Sequence, residues 1–180
     1  KFMSGTRRTY NLNEKNYFKF FGIEEKQGIS IRSLTTHYKK ILNLLKNDKT
    51  FMGREKSDFA HRAFETLVDP ITRARYIISI NGVDSDYRDS ANAEDMNFIH
   101  QLRQQLIHSI DYNSIESFIA ELKDHTEFIK DQIEESIDEY SNYRTAGGLV
   151  NRFYEISLLH KEAEKKKDEA LQGVTHVIFD

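Results

Sequence analysis

Leu67-Val68-Asp69-Pro70-Ile71-Thr72-Arg73-Ala74-Arg75-Tyr76-Ile77-Ile78-Ser79-Ile80-Asn81-Gly82 is the stretch on which the fold of this chain turns. Asp69 is placed to cap a helix, and Pro70 suits the first helical position, where an N–H would have no intrahelical acceptor. The new helix runs through Arg73, Tyr76, Ile77 and Ile80 and stops near Asn81-Gly82. One helix therefore ends and another starts within a few residues. Pro70 is the single proline among 180 residues, and glycines number only 8, so elsewhere the chain favours long uninterrupted helices with few tight turns.

Working outward, Phe59, Ala60, Ala63, Phe64 and Leu67 form the apolar stripe of a helix that leads into this break. Before it, Ile31, Leu34, Tyr38, Ile41, Leu42 and Leu45 recur at steps of three and four, with Ser30 as the N-cap. The polar run Lys46-Asn47-Asp48-Lys49-Thr50 separates the two stripes, so the pair reads as a helical hairpin with a polar tip. Ile31, Leu34, Tyr38, Ile41 and Leu45 are expected to pack on Phe59, Ala63, Phe64 and Leu67. Asn16-Tyr17-Phe18-Lys19-Phe20-Phe21-Gly22-Ile23 is an aromatic knot closed by a glycine.

Downstream, residues 83–93 are polar and irregular and read as a linker. Three helices follow: one through Met96, Ile99, Leu102, Leu106 and Ile110; a second through Ile115, Phe118, Ile119, Leu122, Ile129, Ile133, Ile137 and Tyr140; a third through Leu149, Phe153, Ile156, Leu159 and Ala163, set off by a break at Gly147-Gly148. Short connections between such helices imply antiparallel packing. The expected organisation is all-α: an N-terminal extension over 1–15, a hairpin domain over 16–82, the linker, a three-helix antiparallel bundle over 94–172, and a tail over 173–180. The tail is β-prone and apolar at Val174, Val177, Ile178 and Phe179. It either folds back on its own bundle or meets a neighbouring subunit as an added strand or apolar plug.

Composition excludes several functions. The net charge of −3 argues against the broad electrostatic grip that nucleic acid demands. No stretch reaches the ~20 apolar residues of a membrane-spanning helix. Cysteine is absent, which removes disulfides, thiolate nucleophiles and thiolate metal ligation. The 7 histidines (His37, His61, His100, His108, His125, His160 and His176) are scattered without HExxH or i, i+4 pairing and read as surface residues. The acidic run Asp131, Glu134, Glu135, Asp138 and Glu139 reads as the solvated face of a long helix. No nucleophile has a neighbouring base, so no catalytic residue, cofactor or metal site is expected. The start, with Arg7 and Arg8 and Glu14 the single acid among the first sixteen residues, fits either the stub of a cleaved organellar presequence or a chain that simply begins late.

Residues 16–23 resemble the Tyr-Phe-x-Leu-Phe-Gly-Leu opening of HscB-type J-domain co-chaperones. Residues 67–82 are similar to that family's Leu-x-x-Pro-x-x-Arg-Ala-x-Tyr-Leu-Leu-x-Leu-x-Gly, which sets it apart from other J-proteins. Arg152-Phe153 sits where the family has Arg-Phe, so the resemblance spans roughly residues 16–171. It implies a J-like hairpin domain that stimulates a DnaK-type ATPase, and a bundle that delivers the scaffold protein of iron–sulfur cluster assembly. The stimulating His-Pro-Asp tripeptide is matched here by Lys46-Asn47-Asp48, of which only the aspartate is kept. His37, Lys39, Lys40 and Lys49 would form the basic surface that meets the chaperone.

In the first bundle helix the family pattern Leu-Met-x-x-Leu-Glu-Leu-Arg-Glu-x-Leu is matched by Met96-Asn97-Phe98-Ile99-His100-Gln101-Leu102-Arg103-Gln104-Gln105-Leu106. Gln101 and Gln104 stand for glutamates and His100 for a leucine, which keeps shape but removes charge. Met96, His100, Gln101, Gln104 and Phe153 are the candidate partner-binding residues; Phe153 reads equally as a core phenylalanine. With both surfaces altered, the expected function is a non-catalytic HscB-like protein, repurposed as a structural or interaction subunit of a larger mitochondrial assembly, respiratory or ribosomal, on the matrix side. The alternative is an active co-chaperone. Expected partners are proteins: subunits of that complex, or a DnaK-type chaperone or cluster scaffold protein.

Overall fold

The structure is a computed structural model that describes residues 10–83 and 93–178, for 93–95 and 173–178 the backbone only. The regular secondary structure of the described residues is all α-helix, and the chain divides into two compact units, Lys1–Ile80 and Asn81–Asp180. Much of the linker expected at 83–93 lies outside the described residues.

The first unit contains α1 (Tyr17–Phe21), α2 (Ile31–Leu45), α3 (Phe51–Val68) and α4 (Pro70–Ile80). Helix α1 is the aromatic knot, and it is too short to hold by propagation alone. Its orphan amides are taken one by one. The Asn16 side chain accepts from Phe18 N–H (2.9 Å) and Lys19 N–H (3.2 Å), and the Tyr76 hydroxyl from α4 accepts from Tyr17 N–H (2.9 Å). At the other end Gly22 turns left-handed (φ 62°), which lets Ile23 N–H reach back to the Phe18 carbonyl. Phe18, Phe20 and Phe21 are thereby driven fully into the core.

Helices α2 and α3 form the hairpin. Leu34, Ile41 and Leu45 are buried with Ala60, Ala63 and Leu67, and Tyr38 stacks on Phe64 at 4.1 Å. Ile31 is half-exposed instead of packed, because a helical side chain lies over the turn before it, and Ile31 is the first residue of α2.

The break into α4 is fastened from several sides. The Asp69 carboxylate accepts from Ile71 N–H (3.0 Å) and Thr72 N–H (2.7 Å). The carbonyls that Pro70 leaves open at the end of α3 find side-chain donors: Thr72 Oγ1 on Thr66 (2.9 Å) and the buried Arg73 guanidinium on Leu67 (2.6 Å). Buried Gln27 donates to the Pro70 carbonyl at 2.7 Å.

The second unit contains α5 (Ala93–His108), α6 (Tyr112–Asp138) and α7 (Tyr143–Ile178). Asp111 caps α6 by accepting from Ser114 N–H at 3.0 Å. Lys166 of α7 donates to the carbonyls of Leu106 and Ile107, closing the end of α5. Helices α6 and α7 have the most extensive contact, and the turn over 139–142 reverses the chain between them. The inner face of this pair holds Ile115, Phe118, Ile119, Leu122, Ile133, Ile156 and Leu159.

Several expectations fail here for local reasons. The Gly147-Gly148 break is absent: α7 starts at Tyr143, because Asn142 caps it by accepting from Thr145 N–H at 3.1 Å, and both glycines lie inside it. The β-prone tail is also corrected. Helix α7 continues through Ile178, so the backbone at Val174, Val177 and Ile178 is helical, while Phe179 lies outside the described residues. Extending a helix already long adds one hydrogen bond per residue fixed, which outweighs a weak strand preference. Met96, Ile110 and Tyr140 are exposed; Met96 is in the first turn of α5, and the other two fall beyond the ends of α5 and α6.

A Cβ placed at Gly148 would meet nothing within 4 Å. Gly148→Ala should therefore raise the unfolding free energy by up to ~1 kcal/mol, read by urea denaturation, since alanine is the better helix former and no contact opposes it. Tyr76→Phe should cost about 1–2 kcal/mol, because Tyr17 N–H loses its acceptor. Burial pushes the Tyr76 hydroxyl above its ordinary pKa of 10.0. A folded-state pKa raised in this way gives stability that is present below pH ~10 and lost above it, and that alkaline loss should be smaller in Tyr76→Phe.

Candidate functional site

Met96, His100, Gln101 and Gln104 all project from α5 into solvent. Met96, His100 and Gln104 follow at steps of four and form one stripe, which exposed Ile107 extends by three. The stripe can offer apolar contact and neutral hydrogen bonding but no negative charge. Phe153 is not part of it. It is half-buried on α7, with the Lys130 ammonium of α6 5.9 Å from its ring centroid. Besides Lys166, two α7 residues reach α5: the Arg152 guanidinium lies 5.9 Å from the Phe98 ring, and Glu155 pairs with Arg103 at 3.5 Å. Sequence periodicity misses these four, because their partners are fixed only once the helices pack.

His37 is corrected on two counts: it is a surface histidine in neither the general sense nor the chaperone-facing one. It is 8% exposed, its Nδ1 lies 2.7 Å from the Phe21 carbonyl, and Tyr10 meets its ring edge-on. A carbonyl only accepts, so Nδ1 carries the proton and the imidazole ties α2 to α1. Its neighbours on α2, Lys39 and Lys40, are exposed as expected. His61 bonds Tyr38 Oη at 2.6 Å, His125 lies 3.6 Å from Glu121, and His160 lies 3.9 Å from Glu164. Among the described residues no three His, Asp or Glu side chains group as metal ligands would.

The hairpin tip is the most organised of the expected sites. Lys46, Asn47, Asp48 and Lys49 are exposed. Asp48 is not free, however: its carboxylate accepts from Thr50 N–H at 3.0 Å and from the Thr50 hydroxyl at 2.5 Å. Those two bonds, the hydroxyl one first, hold the Asp48 carboxyl below its ordinary range. The Thr50 hydroxyl in turn accepts from Gly53 N–H at 3.1 Å and caps α3. Beside this relay, Leu44 (63% exposed), Phe51 (67%) and Met52 (55%) present apolar side chains to solvent. Stripe analysis passes over them, although Phe51 and Met52 follow the Thr50 cap directly.

Gly53 is what lets the loop close. A Cβ there would stand 2.6 Å from the Asp48 carbonyl oxygen and 2.7 Å from Oδ1, and closer still to Cγ. Gly53→Ala should destabilise the protein by ~1–3 kcal/mol despite alanine's helix propensity. In denaturation, adding Asp48→Ala should recover only part of that loss, because the carbonyl stays in the way.

No family model matches the chain. Solved structures do. Chaperone HscB from Vibrio cholerae aligns at 18% identity with a TM-score of 0.69, over 86% of this chain and 99% of its own. Human co-chaperone protein HscB aligns at 14% and 0.72, over 85% and 82%. The Jac1 co-chaperone from Saccharomyces cerevisiae aligns at 16% and 0.69, over 88% and 95%. With alignments of this extent, the chain has the fold of the HscB-type J-domain co-chaperones.

Proposed function

We propose that this chain is a non-catalytic HscB-like protein that has lost the stimulation of a DnaK-type ATPase and serves as a structural or interaction subunit of a larger mitochondrial assembly, respiratory or ribosomal. The observation that carries the reading is the tip. Lys46-Asn47 stands where the resemblance expects His-Pro, and the retained Asp48 is occupied in closing the loop onto Thr50. A free carboxylate and a proline-stiffened loop are both missing from that arrangement. The α5 stripe supports the same reading, since Gln101 and Gln104 give a partner no charge to pair with. The proposed partners are protein subunits of that assembly, and the proposed location is the matrix or its side of the inner membrane. The two mitochondrion-bearing organisms among the structural neighbours are consistent with it.

One observation favours a second reading, an active co-chaperone of cluster assembly. Lys39, Lys40, Lys46 and Lys49 are exposed, and an acidic chaperone surface would attract them.

Single-turnover ATP hydrolysis by the cognate DnaK-type chaperone decides between the two. With this protein added the rate should stay at the unstimulated value. A several-fold acceleration that Asp48→Ala abolishes would establish the co-chaperone and overturn the subunit reading.

A further inference from the structure

The hairpin tip carries a second character that loss of the tripeptide does not explain. Leu44 closes the last turn of α2, and Phe51 and Met52 open the first turn of α3, so three large apolar side chains crowd the end of one hairpin, each more than half exposed. Around them the charge is one-sided. Residues 39–56 hold Lys39, Lys40, Lys46, Lys49, Arg54 and Lys56 against Asp48 and Glu55, in a chain whose net charge is −3. Among the described residues Lys39, Lys40, Lys46, Lys49 and Arg54 enter no salt bridge, while Asp48 is turned onto Thr50. The first turn of α3 has no acidic residue, so the positive end of an 18-residue helix adds to the same field.

We propose that this tip docks on an anionic lipid surface, with Leu44, Phe51 and Met52 entering the headgroup boundary and the lysines pairing with phosphates. Three features favour lipid over an acidic protein. The apolar residues cap the end of a hairpin, a convex shape that enters a soft interface and offers a folded partner no groove. The cations are mostly lysines, whose long stems lie along apolar surface while the ammonium stays at phosphate level. They also lack the fixed, bidentate geometry by which arginine forks select a particular carboxylate. The Thr50–Asp48 relay and the tight fit at Gly53 hold Phe51 and Met52 in place, so little ordering remains to be done on binding.

The test uses the full chain and vesicles of phosphatidylcholine, alone or mixed with phosphatidylglycerol. Sedimentation should show binding to the mixed vesicles and not to the neutral ones, weakened by salt. The chain contains no tryptophan, so Phe51→Trp supplies a single reporter whose emission should shift to the blue on binding. Phe51→Ser with Met52→Ser should weaken binding at least ~10-fold. Lys46→Ala and Lys49→Ala should each weaken it roughly 5-fold. Circular dichroism matching that of the unchanged chain shows that each variant is folded. No binding to the anionic vesicles overturns the proposal. So does binding that the serine pair leaves unchanged, or an indole emission in the Phe51→Trp variant that does not move. Tip variants that abolish binding to a DnaK-type chaperone, with vesicles ignored throughout, would assign the patch to a protein instead.

Discussion

The first unit depends on one forced corner. Pro70 cannot donate to the turn before it, so α3 must stop at Val68, and the carbonyls it abandons must be satisfied by side chains or water. The chain satisfies them with residues of the very next helix, Thr72 and Arg73, so the direction in which α4 leaves is fixed by the same bonds that end α3. Once α4 leaves in that direction, its Tyr76 arrives over α1, accepts the Tyr17 amide and stacks on the Tyr17 ring at 4.3 Å. Gln27, between α1 and α2, is drawn onto the Pro70 carbonyl from the other side. A five-residue helix with three buried phenylalanines is thus held by a corner some fifty residues away. Removing the Arg73 charge would leave a buried carbonyl without that donor, a costlier loss than removing an exposed ion pair.

What is legible in the sequence follows from this. Caps and breakers are local, so Ser30, Asp69-Pro70 and the glycine after the aromatic knot can be read directly, and the hairpin follows from the two matched stripes. Asn142 is the cap that pattern reading misses, and without it the conspicuous Gly147-Gly148 looks like the start of the last helix. Glycine lowers helix propensity by about 1 kcal/mol per residue, a penalty that a capped helix packed along the length of α6 can absorb. Periodicity also overruns the helix ends. Ile110 and Tyr140 fit their stripes by spacing, but a stripe has meaning only where a helix continues to carry it. His37 misleads for the opposite reason: it sits in phase with the buried Leu34 and Ile41, so its position speaks for burial while its residue type speaks for the surface.

The hairpin tip is legible in its place along the chain and not in its chemistry. Lys46-Asn47-Asp48 can be located from the sequence, yet the meaning of the retained aspartate cannot. Asp48 accepts two bonds from Thr50, Thr50 caps α3, and Gly53 has no side chain to obstruct either. Each of these residues is needed by the other two for the loop to close. An aspartate in such a relay is retained by the folding of the hairpin whether or not anything binds it. Its presence is therefore no argument for a chaperone contact. The same relay sets Phe51 and Met52 outside the core. A loop built this tightly turns its apolar residues outward while the chain keeps the fold of the HscB-type co-chaperones, and a shared fold does not by itself carry a shared function.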